Sequence, residues 1–102
     1  MSYTVIVEER AKRDIRDAAY WMAQHSPEKA MLWHFEIEEA IVSLENSPFR
    51  CPLAGESRYS PEEIRQLIFE KYRILFAVRE EEVHVLHVRH GARDYAKPEE
   101  DE

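Results

Sequence analysis

The alternation of hydrophobic and polar positions divides the chain into one strand, two helices and three more strands. Tyr3 to Val7 alternates and is rich in β-branched residues, which predicts a first strand. Helical spacing begins at Glu9 and ends near His25, with apolar positions at Ala11, Ile15, Ala18 and Met22. Ser26 and Pro27 then form a helix start signal, a hydroxyl cap followed by proline at the first helical position. The predicted core face of the second helix is Ala30, Trp33, Ile37, Ala40, Ile41 and Leu44.

The last third of the chain predicts a meander of three strands. They run from Ile64 to Phe69, from Tyr72 to Arg79 and from Val83 to His90, and the short connections between them require antiparallel pairing. A loop from 47 to 63, long for so small a domain, joins them to the second helix. The predicted fold is therefore α+β in the order β-α-α-β-β-β, with a helical hairpin packed on one face of a small antiparallel sheet.

The register of the last hairpin follows from its apolar side chains. We predict that Phe76 meets Leu86 and that Ile74 meets Val88, because this register joins the two apolar rows that face the helices. A shift by one residue would pair apolar with polar side chains along the whole ladder.

The same register predicts a cationic cluster on the other face of the hairpin. Arg79 lies opposite Val83 at the turn, and Arg73 lies directly across from Arg89, with His87 beside them. Like charges directly opposite on paired strands are unfavourable by up to about 1 kcal/mol. We therefore expect an anion or an interleaved carboxylate between the arginines. Two alternatives are that the arginines extend into solvent and that the acidic tail folds back onto them.

The second helix has a second apolar stripe, well over a quarter turn from the first, formed by Met31, Leu32, Phe35 and Val42. Either one stripe contacts the sheet and the other contacts the first helix, or the second stripe is a groove for a partner's helix. Tyr20, opposite the core face of the first helix, favours the groove. Burial of the stripe in the isolated chain would remove this argument.

Charge and composition narrow the classes of function. The 102 residues form one domain, which we place at residues 1–96, followed by an acidic tail at 97–102. The net charge is −7, and residues 64 to 96 carry six basic and five acidic side chains. Proteins that bind long nucleic acids usually show a clear basic excess, so extensive RNA or DNA contact is disfavoured. No apolar run approaches the ~20 residues of a membrane helix, and we expect a cytoplasmic protein without membrane contact.

The candidate metal ligands do not form a set. Cys51 is the only cysteine, which excludes an intrachain disulfide and a cysteine-based metal site. His84, His87 and His90 follow one another at a spacing of three, but on a strand His87 points away from the other two. We therefore expect no metal and no cofactor.

A set of motifs along the chain carries a family resemblance. They are Ala11 with Asp14 in the first helix, Pro27 and Ala30 opening the second, Ile41, Leu44 and Pro48 closing it, and the strand sequences YRILFAV and VHVLHVRHGARDY. Tyr72 and Arg73 at the start of one strand, with His90 to Arg93 at the end of the next, are the most specific. In these motifs, from Tyr3 to about Tyr95, the chain resembles the RelE/ParE superfamily of type II toxin-antitoxin toxins. The resemblance implies the fold predicted above.

The resemblance implies two different activities. ParE-like members are implied to block DNA gyrase, whereas RelE-like members are implied to cut mRNA on the ribosome. Cleavage needs cations that stabilise a developing phosphorane charge and a general acid or base that moves the proton. Arg73 and Arg93 match the family's two arginines by position, and His87 is the candidate replacement for the base.

Departures from the ribonuclease pattern make mRNA cleavage the weaker alternative. Ile64 and Gln66 stand where ribonuclease members tend to show lysines. Tyr95 follows Arg93 too closely to match the distal tyrosine of those members. The leading hypothesis is thus a ParE-like toxin that acts by binding a target such as DNA gyrase rather than as an enzyme, and a non-toxic degenerate relative is the third possibility.

Two surfaces follow from this hypothesis. The predicted target- or anion-binding residues are Arg73, Arg79, His87, Arg89, His90, Arg93 and Tyr95. A cognate antitoxin is expected to cover the helical hairpin and part of the sheet. The predicted antitoxin-binding residues are Tyr20, Met31, Leu32, Phe35, Val42 and Arg65.

Overall fold

The chain folds in the predicted order of one strand, two helices and three strands. The computed structural model describes residues 2–91, so the predictions for Arg93, Tyr95 and the tail at 97–102 lie outside the described residues. The elements are β1 (Thr4–Val7), α1 (Glu9–Ala23), α2 (Pro27–Val42), β2 (Arg65–Phe69), β3 (Tyr72–Arg79) and β4 (Glu82–His90). Short 3-10 turns at Ser43–Glu45, Pro48–Arg50 and Gly55–Tyr59 lie between α2 and β2.

The two helices form a hairpin at the predicted junction. Ser26 caps α2, since its hydroxyl accepts a hydrogen bond from the backbone N–H of Lys29 at 3.3 Å, and Pro27 occupies the first helical turn. The predicted core faces are largely confirmed. The buried helical residues are Ala11 and Ile15 of α1, Ala30, Trp33, Ile37 and Ile41 of α2, and Leu44 in the turn that follows.

The sheet is mixed rather than antiparallel throughout. Its strand order is β1-β4-β3-β2, and β1 pairs parallel with β4 while the other pairs are antiparallel. A parallel pair needs a long connection, and the helical hairpin and the meander together provide it between β1 and β4. Our prediction of an antiparallel sheet is therefore wrong for β1 only.

The predicted register holds for half of the β3–β4 ladder. Arg73 lies opposite Arg89 and Ile74 opposite Val88, as predicted, but a β-bulge at Leu75/Phe76 shifts the rest by one residue. The predicted pairs of Phe76 with Leu86 and of Arg79 with Val83 are wrong, since Phe76 meets Val85 and Arg79 meets Glu82.

The bulge has a packing cause. Continued without it, the predicted register sets His84 opposite Val78, in the row that faces the helices. With the bulge, Val83 and Val85 enter that core fully buried and Leu86 lies on the other side. One extra residue in β4 thus exchanges a histidine for valine in the core.

The face of the sheet opposite the helices is not open. Residues 51–64, which we call the covering loop, lie across it and bury a second small core of Ala54, Ile64, Leu75 and Ala77, with Leu86 against it. The loop is hydrogen bonded to the sheet edge through Gln66 N–H to the Pro52 carbonyl at 3.0 Å, and its own ends are joined by Ala54 N–H to the Ile64 carbonyl at 2.7 Å. Strand β3 is consequently buried on both faces, and the predicted open cationic face is wrong.

Candidate functional site

Arg73 is the most buried charged side chain of the predicted cationic cluster. It is the second residue of β3 and lies on the covered face of the sheet, with only 11% of its side chain exposed. Glu56 of the covering loop accepts two hydrogen bonds from it, at 3.0 Å from Nη1 and 2.6 Å from Nη2. This two-pronged geometry is the strongest arrangement a guanidinium and a carboxylate can form. The expected interleaved carboxylate is therefore present, and it is Glu56.

Two further side chains complete the surroundings of the ion pair. The Gln66 side-chain carbonyl accepts a hydrogen bond from Arg73 Nη1 at 3.0 Å, and the charge of Arg89 also acts on Glu56. Burial raises the pKa of Glu56, but the hydrogen bonds and charge of Arg73 outweigh burial, so the pKa lies below its ordinary value. Glu56 is thus a carboxylate at neutral pH, and it relieves the repulsion between the facing arginines.

Arg79 and His87 of the predicted cluster do not join Arg73. Arg79 forms its own two-pronged pair with Glu62, at 3.0 and 2.7 Å, in a more exposed position. His87 sits at the bulge with Nδ1 3.7 Å from an Asp14 oxygen of α1. The predicted local pocket of Arg73, Arg79, His87 and Arg89 is therefore wrong as a single site, because Arg79 and His87 lie against other carboxylates and only Arg89 shares Glu56 with Arg73.

His84 lies in a carboxylate clamp that the sequence did not predict. Its Nδ1 is 2.6 Å from Glu8, which follows β1, and its Nε2 is 2.8 Å from Glu82 of its own strand. Hydrogen bonds to Glu8 and then to Glu82 raise the pKa of His84. His84 thus links the residue that follows β1 to β4 at the end of their parallel pairing.

A cleft of about 670 Å³ lies beside α1, at the end of the sheet where β3 begins and β4 ends. Its basic side chains are Lys71, Arg89 and His90. Trp21 and Tyr72 supply its aromatic surface, and the Tyr72 ring meets the His90 ring at 5.2 Å between centroids. Arg89 and His90 are the members of the predicted target-binding set that line this cleft.

The second apolar stripe of α2 is exposed. Met31 is 74%, Phe35 59% and Val42 53% exposed, and Tyr20 of α1 is 72% exposed. The alternative in which this stripe packs inside the chain is wrong. Leu32, 57% exposed, lies on the neighbouring side of the same helix.

These side chains border a groove between α1 and α2. One half, of about 600 Å³, is lined by Tyr20, Met31 and Phe35, and the other, of about 420 Å³, by Ile15, Ile41 and Val42. The polar side chains Arg16, His34 and Glu38 line both halves and divide them. An apolar groove between two helices is a typical binding site for an amphipathic helix.

Arg65, which was predicted as an antitoxin contact, braces the covering loop. Its Nη1 donates to the Cys51 carbonyl at 2.7 Å, and its guanidinium lies 5.0 Å from the centre of the Phe49 ring. The structure places Arg65 on the edge strand β2, and it is not among the residues that line the groove.

Comparison with known proteins gives the family. A family model described as the ParE toxin of type II toxin-antitoxin system, parDE, matches residues 5–95. The chain belongs to this ParE toxin family. A search of curated proteins finds no match.

Solved structures show the same fold at low sequence identity. A chain from a chromosomal ParDE toxin-antitoxin system of P. aeruginosa matches with a TM-score of 0.71 and 20% identity, over 87% of this chain and 96% of that one. A chain of the RelBE2 complex from Mycobacterium tuberculosis has a TM-score of 0.55 and 23% identity, over 88% and 99%. A mutant of E. coli RelE in the free state has a TM-score of 0.58 and 20% identity, over 87% and 83%.

Glu56 is the site residue of this ParE family member that sequence reasoning missed. The pairing of Arg73 with Arg89 predicted a carboxylate between them, but nothing in the spacing of the loop identified which one.

None of the helices between residues 2 and 91 combines the length and apolarity that crossing a membrane requires.

Proposed function

We propose that this ParE-family toxin arrests growth by binding DNA gyrase, and that it does not cleave RNA. The observation that carries the second half of the proposal is the buried ion pair of Arg73 with Glu56. A ribonuclease would need Arg73 to face the developing charge on a phosphate. Here the guanidinium faces a carboxylate of the same chain and is nearly excluded from solvent.

The remaining ribonuclease positions support the same conclusion. Ile64 is buried in the second core, and Gln66 holds Arg73 in place, so both positions serve the fold. His87, the candidate base, lies beside Asp14 of α1 rather than next to Arg73. Within residues 2–91, Arg73 and His87 thus face different carboxylates rather than a common phosphate position.

The target contact is best assigned to the cleft beside α1. It combines the basic side chains Lys71, Arg89 and His90 with the aromatic surfaces of Trp21 and Tyr72, and Asp14 and Asp17 line its α1 side. Cations and aromatic side chains around a depression are typical of protein-binding sites. The choice of gyrase comes from the family alone, and the cleft identifies the surface to test.

The experiment compares two activities of the purified protein. We expect inhibition of gyrase supercoiling at micromolar protein and no cleavage of mRNA on translating ribosomes. Cleavage that is lost in Arg73→Ala would overturn the proposal in favour of the ribonuclease alternative. Absence of both activities, with unchanged growth when expression is induced without the neighbouring gene, would identify a degenerate relative.

We also propose that a cognate antitoxin neutralises the toxin by laying an amphipathic segment into the groove between α1 and α2. The exposed stripe supports this proposal, since Met31, Phe35 and Val42 repeat along α2 at helical spacing and have no cover in the described part of the chain. The gene immediately upstream is the candidate source of the antitoxin. Co-expression of the two genes with a tag on the toxin alone tests whether they form a complex.

A further inference from the structure

We infer that Arg73 and Arg89 form a binding site for a tetrahedral or planar oxyanion, and that the chain occupies this site with its own Glu56. Arg73 lies on β3 and Arg89 directly opposite on β4, in the two central strands of the sheet. The carboxylate of Glu56 enters from the covering loop, accepts two hydrogen bonds from Arg73 and lies within the electrostatic influence of Arg89. Glu56 thereby excludes other anions from the site.

The site is built rather than incidental. The paired strands fix the backbone of both arginines, and the Gln66 side chain holds Arg73 Nη1 at 3.0 Å. Arg73 and Glu56 are 11% and 13% exposed, so water competes little for their hydrogen bonds. A planar guanidinium presents the same pair of N–H groups to phosphate as to carboxylate. The position of the Glu56 oxygens is therefore where two phosphate oxygens would bind.

The covering loop keeps the site occupied. Ile64 N–H donates to the Ser57 hydroxyl at 3.0 Å, and Arg65 donates to the Cys51 carbonyl at 2.7 Å, on either side of Glu56 in the loop. Because the loop is fastened at these points and its Ala54 is buried, Glu56 competes with external anions as an intramolecular ligand at high effective concentration. The intact protein should therefore not bind phosphate at this position.

This inference goes beyond the proposed target. Two facing arginines in a sheet would be expected to bind phosphate, and Glu56 accounts for why these two do not. Phosphate binding can be measured whether or not gyrase is the target. Its consequence is that Glu56 acts as a specificity-determining residue against phosphate-bearing ligands.

The test removes the carboxylate and offers inorganic phosphate as the probe. Glu56→Ala opens the space between the arginines, whereas Glu62→Ala makes the same change of charge at the exposed pair with Arg79. Phosphate binding is measured by calorimetry and by the shift of the melting temperature against chloride at matched ionic strength. We expect E56A to bind phosphate at least about tenfold more tightly than the wild type or E62A, because only E56A vacates a two-pronged site that is buried and that a second arginine faces.

Additional variants test the role of Arg89 and the effect of folding. In E56A the change Arg89→Met should return phosphate binding to the wild-type level. Because it also restores the wild-type net charge, Arg13→Met in E56A, at an exposed position of α1, is the charge-matched control and should leave the tighter binding unchanged. If E56A does not fold, Glu56→Ser, which leaves similar space, replaces it, and phosphate should restore folding in either variant. Equal phosphate binding in the wild type, E62A and E56A, or failure of phosphate to stabilise both Glu56 variants, would overturn the inference.

Discussion

Asp14 of α1 accepts a hydrogen bond from the backbone N–H of Val88 in β4, at 3.0 Å. Strand β1 ends opposite Val85, so this N–H lies beyond the part of β4 that β1 covers. Asp14 replaces the missing strand partner and fastens the helical hairpin to the sheet. Burial raises the pKa of Asp14, but contacts with His87, Val88 and Arg10 outweigh it and keep the pKa below its ordinary value.

Replacement of Asp14 should therefore destabilise the fold. Asp14→Ala leaves a largely buried N–H without its acceptor, and we expect a loss of about 1–3 kcal/mol in the free energy of unfolding from urea titrations. Asp14→Asn keeps an acceptor oxygen and should lose less. Asp17→Ala, one turn along on an exposed position of α1, serves as the control and should change stability by less than about 0.5 kcal/mol.

The two arginine–glutamate pairs of the covered face should differ in their contribution to stability. Glu56→Ala leaves the buried Arg73 charge without its carboxylate, and we expect the free energy of unfolding to fall by about 3–5 kcal/mol. Glu62→Ala breaks a pair whose side chains are 45% and 37% exposed, and the expected loss is below about 1 kcal/mol. Chemical denaturation of both variants makes the comparison, and equal losses would show that burial of the first pair has no energetic consequence.

The carboxylate Glu56 predicts a dependence of stability on acid. Its pKa is lower in the folded chain than in the unfolded chain, so its contribution is fully present above the ordinary glutamate value of about 4.3 and is lost as pH falls through the folded value. Denaturation of the wild type and Glu56→Gln between neutral and acidic pH measures this. The wild type should lose stability more steeply than Glu56→Gln on acidification, and parallel curves would contradict the prediction.

His84 predicts the opposite slope near neutrality. Its pKa is raised in the folded chain by Glu8 and Glu82, so its contribution is fully present below the ordinary histidine value of about 6.5 and is lost as pH rises through the folded value. His84→Gln should flatten this part of the stability curve. His25→Gln, at an exposed position at the end of α1, is the control and should retain the wild-type slope.

The groove predicts which apolar side chains matter for the antitoxin. Phe35→Glu places a charge in the larger half of the groove, and we expect binding of the upstream gene product to weaken by at least about 30-fold, the loss of one interface hot spot. Ile68→Glu on β2 changes a similarly exposed apolar residue, 56% exposed, far from the groove. Calorimetry on refolded toxin compares them, and equal weakening by both changes would remove the groove from the interface.

The turn between β3 and β4 carries a strained residue. Glu80 has a φ of 58°, a left-handed conformation that glycine adopts without cost. We expect Glu80→Gly to raise the free energy of unfolding by up to about 1 kcal/mol. Glu81→Gly, next to it with an ordinary negative φ, should be neutral or lower stability instead. Thermal unfolding of the two variants distinguishes relief of strain from the loss of one acidic charge in the turn.

Local pattern determined most of the architecture. The helical spacing from Ala11 onwards, the cap at Ser26 and the alternation of the meander each depend on residues close together in the chain, so they were readable without the fold. The facing of Arg73 and Arg89 was also predicted, because the neighbouring apolar pair Ile74 and Val88 fixes the register in that half of the hairpin. The exposed stripe on α2 was readable as a second apolar face, since helical periodicity alone defines it.

Tertiary structure decided what surrounds these elements. The bulge in β4 keeps His84 out of the core. Strand β1 pairs parallel with β4 because the helical hairpin carries the chain away from β1, and the meander then brings β4 back beside it. Both depend on contacts between residues far apart in sequence. The same holds for Glu56, which reaches Arg73 across 17 positions only because the covering loop folds over the sheet. The sequence by itself determined where the arginines would meet. Only the folded loop decided that the chain's own carboxylate lies between them, since loop paths follow from long-range packing that no local period encodes.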